Sequence, residues 1–115
     1  MNNGTIIING KTFPCLLAVT SKEQESGLMG VKPPVPTMAF IYNSPVQLKF
    51  WMKDTPSPLD IVFCRNNHII SIMNGQPYST AMIGPSIATD LVVEFNAGTC
   101  NKNGISVGDK IVLES

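Results

Sequence analysis

Two neighbouring segments, Phe50-Trp51-Met52-Lys53-Asp54-Thr55 and Pro58-Leu59-Asp60-Ile61, bring an indole, an ammonium, two carboxylates and a hydroxyl into one short stretch. Side chains of an extended chain alternate between faces, so Leu48, Phe50 and Met52 share one side and Lys49, Trp51 and Lys53 the other. The chain's one tryptophan thus stands between two cations. That arrangement is a stacking platform with cationic flanks, suited to a small polar or anionic ligand such as a sugar or nucleotide derivative. The plainer reading of the same pattern is a strand covered on both faces, with Trp51 under a loop and the lysine stems lying across it.

Asp60 falls inside an apolar run, in line with Val62 and Cys64. A carboxylate there is costly unless paired or hydrogen-bonded. It can be a general base of raised pKa. It can also be a structural group that accepts amides of the Lys53–Pro58 loop or pairs with Lys53. Asp54 and Asp60 are candidates for a carboxylate pair across that loop, at a separation the sequence does not supply.

Other chemistries lack their residues. The single histidine, His68, follows the Asn66-Asn67 turn, and the cysteines Cys15, Cys64 and Cys100 are odd in number and dispersed. No zinc or iron ligand set follows from these, and the thiols read as buried and free in a reducing compartment. There is no phosphate-cradling or dinucleotide fingerprint and no nucleophile elbow, so no cofactor is expected. Eight basic residues balance eight acidic ones with no cationic run, which argues against nucleic acid as a partner. No stretch approaches the ~20 apolar residues that span a bilayer. The start of the chain has neither the basic region nor the apolar segment of a signal peptide, so the expected location is the cytoplasm.

The elements that must position these residues are mainly strands. Ile6-Ile7-Ile8 followed by Asn9-Gly10 and a run from Thr12 to Val19 reads as a hairpin. Pro14 demands an edge or a bulge there. Thr20-Ser21-Lys22-Glu23 is a capping box that opens a short helix over Ser21–Met29. Pro33, Pro34 and Pro36 forbid its continuation and make an extended connector. Strands are expected over Met38–Tyr42, Leu48–Met52, Leu59–Arg65, His68–Met73, Asp90–Phe95 and Lys110–Leu113. The stretch Gly75–Thr89 reads as a loop, and Gly108-Asp109 as a structural turn. With 115 residues this is one domain of α+β, mainly β class: a compact barrel-like antiparallel or mixed sheet with one short helix.

These landmarks taken in order resemble the family of bacteria, archaea and phages known as domain of unknown function 192. The similarity is carried by Gly27-Leu28-Met29 after the capping box, Met38 to Tyr42, the Trp51-Met52-Lys53 block with Pro58-Leu59-Asp60-Ile61, Val93-Glu94-Phe95-Asn96-Ala97-Gly98, and Gly104 to Asp109. It implies a mainly β fold with one helix and no established activity. Three features depart from the family pattern. Gly30 and Val31 stand where a basic residue is usual, with Lys32 a substitute; Asp54 replaces an asparagine; and the export leader that members often carry is not expected here.

The functional expectation is a non-enzymatic binding module whose cleft lies between the Trp51–Thr55 loop, the helix end near Met29, and Tyr78. Trp51 would stack, Lys53 would neutralise charge, and Asp54, Thr55 and Asp60 would contact the ligand. Two alternatives differ in class. One is a hydrolase or lyase with Asp60 as base. The other is a protein-interaction module presenting Met82 and Ile83 from the Gly75–Thr89 loop.

Overall fold

The computed structural model describes residues 1–115. Strands β1 (Asn2–Ile8) and β2 (Lys11–Ala18) are followed by α1 (Ser21–Ser26), β3 (Met38–Val46), β4 (Leu59–Arg65), β5 (His68–Gly75), β6 (Thr89–Asn96), α2 (Thr99–Asn103) and β7 (Ile111–Glu114). The strands form one seven-stranded sheet in the order β5-β4-β6-β3-β2-β1-β7. All pairings are antiparallel except β2 with β3. That parallel pair needs a crossover, and α1 with the proline connector supplies it.

Turn chemistry fixes the register at both hairpins. Asn9 and Gly10 take φ of 53° and 75°, and Asn66 and Asn67 take 52° and 63°. This is the double left-handed geometry that matches strand twist. Pro14 pairs only with β1, at Thr5, because β3 joins β2 only from Leu16 onward. Its missing N–H therefore faces no ladder, as the edge expectation required.

The sheet curls until its two ends meet. His68 bridges Lys110, and Ile69 exchanges backbone hydrogen bonds with Asp109 (2.9 Å) and Gly108 (2.8 Å). The Asp109 carboxylate shapes that contact by accepting from the Ser106 amide at 2.8 Å and from Asn9 Nδ2 at 2.9 Å. The interior of the curl is packed by Ile6, Ile8, Val62, Ile69, Val93, Phe95 and Ile111, with Cys15, Cys64 and Cys100 among them as free thiols. A second core lies on the other face of β3, β4 and β6, where Phe40, Ile61, Phe63 and Val92 are covered by Leu28, Val35 and Met52 from the connections.

Several boundaries differ from the sequence reading. The helix ends at Ser26, because Gly27 turns out of it with φ 47° and its amide closes on the Glu23 carbonyl. A second helix, α2, follows β6. Strand β3 runs on through Asn43-Ser44-Pro45 to Val46. The stretch Leu48–Met52 is an irregular connection, with a single bridge from Phe50 to Ile83. It still alternates as expected: Phe50 is half-buried, Met52 buried and Trp51 exposed. No helix is long and apolar enough to cross a membrane.

Candidate functional site

Three connections converge on the second core and leave a cleft between them. The first is α1. Its capping box forms as read: the Glu23 amide donates to Thr20 Oγ1 at 3.1 Å, and the Thr20 amide donates to Glu23 Oε1 at 3.0 Å. Gln24 straps the helix to the sheet, donating to the carbonyls of Ile41 at 2.8 Å and Ala18 at 3.1 Å. A six-residue helix could not persist alone, so these tethers set the cleft wall.

The second connection is the 47–58 segment. Phe50 exchanges backbone bonds with Ile83 at 2.7 and 2.6 Å, and the Met52 amide donates to Ser79. Further along, the Gly30 amide donates to the Asp54 carbonyl at 2.7 Å and Ser57 Oγ to the Val31 carbonyl at 2.8 Å, joining this segment to the end of the helical turn. The third is the proline connector, pinned where Asn96 exchanges two 2.8 Å bonds with the Val35 backbone.

The resulting cleft has a volume of about 270 Å³, just below the ~300–1,000 Å³ usual for ligand sites. Rings of Phe40, Tyr42, Phe50 and Trp51 line it, with Leu28, Met29, Met52 and Leu59 filling the apolar wall. Phe50 stands edge-on to Phe40 (centroids 5.2 Å) and to Phe63 (5.8 Å). Edge-to-face packing of this kind holds the rings of the floor against one another.

One group on this floor has no ordinary reason to be there. Glu94, on β6, is 5% exposed and lines the cleft among the apolar side chains of the second core. Burial alone pushes its carboxyl up from the ordinary 4.5 to about 7, with no hydrogen bond or nearby cation to offset it. Tyr42 faces it from β3. Burial first, and then the Glu94 charge, push that phenol up to about 12. Glu25 on α1 adds a second carboxyl to the lining, while the Lys49 ammonium is turned to the Gly84 carbonyl at 2.8 Å.

The residues named from sequence divide between places. Met29, Trp51 and Thr55 line the cleft. Trp51 is 43% exposed, so it is a wall open to solvent and not a core residue. Lys53 lies over the indole, 5.3 Å from the ring centroid, and is not part of the cleft lining. Thr55 is buried and donates from Oγ1 to the Lys53 carbonyl, which shapes the turn. Asp54 (φ 56°) and Tyr78 (φ 64°) occupy turn positions, and neither side chain lines the cleft.

Asp60 belongs to the other face. In the β4–β6 register it opposes Phe95, whereas Glu94 opposes Ile61, so the two acids point to opposite sides of the sheet. Asp60 is 4% exposed and accepts from the amides of Gly98 at 3.1 Å and Cys100 at 3.0 Å, with Asn74 at 3.5 Å. Its partners are therefore the start of α2, and neither the Lys53–Pro58 loop nor Lys53. Covered and held by amides, it has no open pocket in which to act as a base. Burial, followed by the Asp60 charge, pushes the neighbouring Cys100 thiol up to about 12. Ile83, expected on the surface, is half-buried against the second core, while Met82 is exposed. His68 sits on its turn, its Nδ1 2.9 Å from the Asn66 carbonyl.

Glu94 escaped the sequence reading, although the signal existed. A lone acid within Leu91-Val92-Val93-Glu94-Phe95 is the same anomaly that drew attention to Asp60. What the sequence lacked was the identity of the face on which a cleft opens.

A curled seven-stranded sheet that carries a small aromatic cleft under its helix crossover defines a class of small β domains with one shared fold. The chain belongs to the family of domain of unknown function 192, described as uncharacterised ACR, whose pattern matches residues 4–113. It is similar over 96% of its length to a crystallised protein of Sinorhizobium meliloti 1021, described as a candidate transcription regulator, at 30% identity and TM-score 0.88, covering 93% of that chain. It is also similar to a crystallised protein of unknown function from Novosphingobium aromaticivorans DSM 12444, at 32% identity and TM-score 0.82, covering 96% of this chain and 83% of the other. No curated protein matches significantly.

Proposed function

We propose that this protein is a non-enzymatic binding module that holds a small polar ligand in the cleft bounded by α1 and the 47–58 segment. One observation carries the reading: a buried carboxyl, Glu94, lines an aromatic cleft and receives no hydrogen bond from the protein. Buried polar groups are normally satisfied, and a strongly perturbed acid inside a cleft is a reasonable mark of a site. Trp51 supplies a stacking edge at the mouth for a ring of sugar or nucleobase size.

The chemistry of the lining favours binding over catalysis. Glu94 has no nucleophile or histidine beside it, and the phenol that faces it is held in its neutral form, its pKa pushed up to about 12. The lining also weighs against an anion. Its carboxyls are Glu94 and Glu25, Lys49 is engaged with the Gly84 carbonyl, and Lys53, over the indole, is not part of the lining.

Trp51→Ala tests the reading. The indole is 43% exposed, so its removal should cost only about 1 kcal/mol, below the ~3–5 kcal/mol of a buried aromatic. Binding of small ring compounds, followed by protein-observed NMR, should weaken at least roughly tenfold, the equivalent of ~1.4 kcal/mol. Unfolding of the variant, or unchanged binding, would overturn the assignment of Trp51 to the site.

A further inference from the structure

Glu94 also says what kind of ligand the cleft takes, an inference that rests on the binding reading above. Glu94 is 5% exposed and lines the cleft beside the second core. No cation of the protein reaches it, since burial alone accounts for its raised pKa. A buried carboxylate left in that state is costly, and a partner that brings both charge and N–H donors relieves the cost best. Around it stand Phe40, Tyr42, Phe50 and Trp51, whose ring faces carry the negative quadrupole that attracts cations. Glu25 extends the acidic character of the lining. An aromatic enclosure with a carboxyl at its floor is a receptor for an organic cation. An anion would meet repulsion there, and a neutral hydroxyl would leave most of the charge uncompensated.

We propose that the cleft selects ligands bearing a protonated amine on a compact apolar or aromatic body, with the ammonium against Glu94 and the body along the wall formed by Phe50 and Trp51. Such a ligand pairs with the ionised form of Glu94, so its affinity depends on pH. The charged or titratable groups in the lining are Glu94 itself, Tyr42 on β3, Glu25 on α1 and Lys49 on the covering segment, while β4 presents Leu59. Tyr42 stays neutral up to about 12, and Lys49 is held at Gly84. The carboxyl of Glu94, which titrates at about 7, therefore dominates the neutral range. Amine affinity rises as pH goes from 6 to 8, by about tenfold from the ionised fraction alone.

The test uses benzylammonium, benzyl alcohol and benzoate as matched probes, read by fluorescence of the single tryptophan and by amide shifts of the wild-type protein at pH 6 and 8. Benzylammonium should bind about tenfold or more tightly than the other two at pH 8. Its advantage should shrink at pH 6 and vanish in Glu94→Gln. The probe comparison and the pH comparison need no variant, so they test the proposal independently of Glu94→Gln. Equal or tighter binding of the alcohol or benzoate at the same residues would overturn the amine assignment and leave the binding reading intact. No response of the cleft residues to any of the three would overturn both.

Discussion

Replacing Glu94 by glutamine should make the protein more stable at neutral and alkaline pH, and the size of the effect follows from burial. In the folded chain this carboxyl holds its proton until about 7, against an ordinary value of 4.5. Between those values the native state binds one proton more than the unfolded state, so stability falls as pH rises. Below the lower value the full contribution is present; above about 7 it is gone. Each pH unit of separation is worth about 1.4 kcal/mol, so the swing is roughly 3 kcal/mol, a large share of the 5–15 kcal/mol typical of a domain. Glutamine keeps the shape and removes the titration. Urea unfolding of both proteins from pH 4.5 to 8 should give similar stabilities at the acid end and a gap of roughly 3 kcal/mol at the alkaline end, equivalent to about 10 °C in melting temperature. Two stability curves running parallel across this range would refute the reasoning, because they would mean that Glu94 is solvated or paired.

Other substitutions separate the site from its scaffold. Thr20→Ala removes the cap of α1 and should cost about 1 kcal/mol; hydrogen exchange should show the loss concentrated in residues 20–27. Asp60→Ala leaves the Gly98 and Cys100 amides without their acceptor and should cost roughly 1–3 kcal/mol, while benzylammonium binding, measured by fluorescence, stays unchanged. In Gly84→Ala the new Cβ would overlap the Leu48 carbonyl oxygen, which is backbone and cannot swing aside. Calorimetry should register a loss of stability, and shifted amides at Lys49 and Phe50 should accompany weaker binding in the cleft.

Much of the scaffold could be read from local chemistry because each signal acts over a few residues. The Asn9-Gly10 turn, the Thr20–Glu23 capping box, the apolar run of β4 and the unpaired edge at Pro14 all depend on neighbours in the chain, and all form. The family likeness was equally plain in the Trp51-Met52-Lys53 block. The site was legible only in part. Trp51 and Thr55 fall in one short aromatic and turn-rich segment and Met29 at the end of a capped helix, and the three line one cleft. Asp60 and Glu94 could not be told apart in the same way. Each is one acid in a buried strand, and only the β4–β6 register puts Asp60 against α2 and Glu94 under the helix crossover. Register is a long-range property, and a slip of one residue would exchange the faces. Helix α2 was missed for a related reason: its five residues carry no amphipathic stripe, and the carboxylate that organises its first amides comes from Asp60, 40 positions away.

The central claim is that the molecule keeps a ligand site on the Glu94 face of the sheet, and fragment mapping by NMR tests it most directly. With small ring compounds that include amines, alcohols and carboxylates, amide shifts should cluster at Glu94, Tyr42, Trp51 and Met29, and the strongest should come from the amines. Shifts gathered around Asp60 and Gly98, on the opposite face of the sheet, would contradict the account.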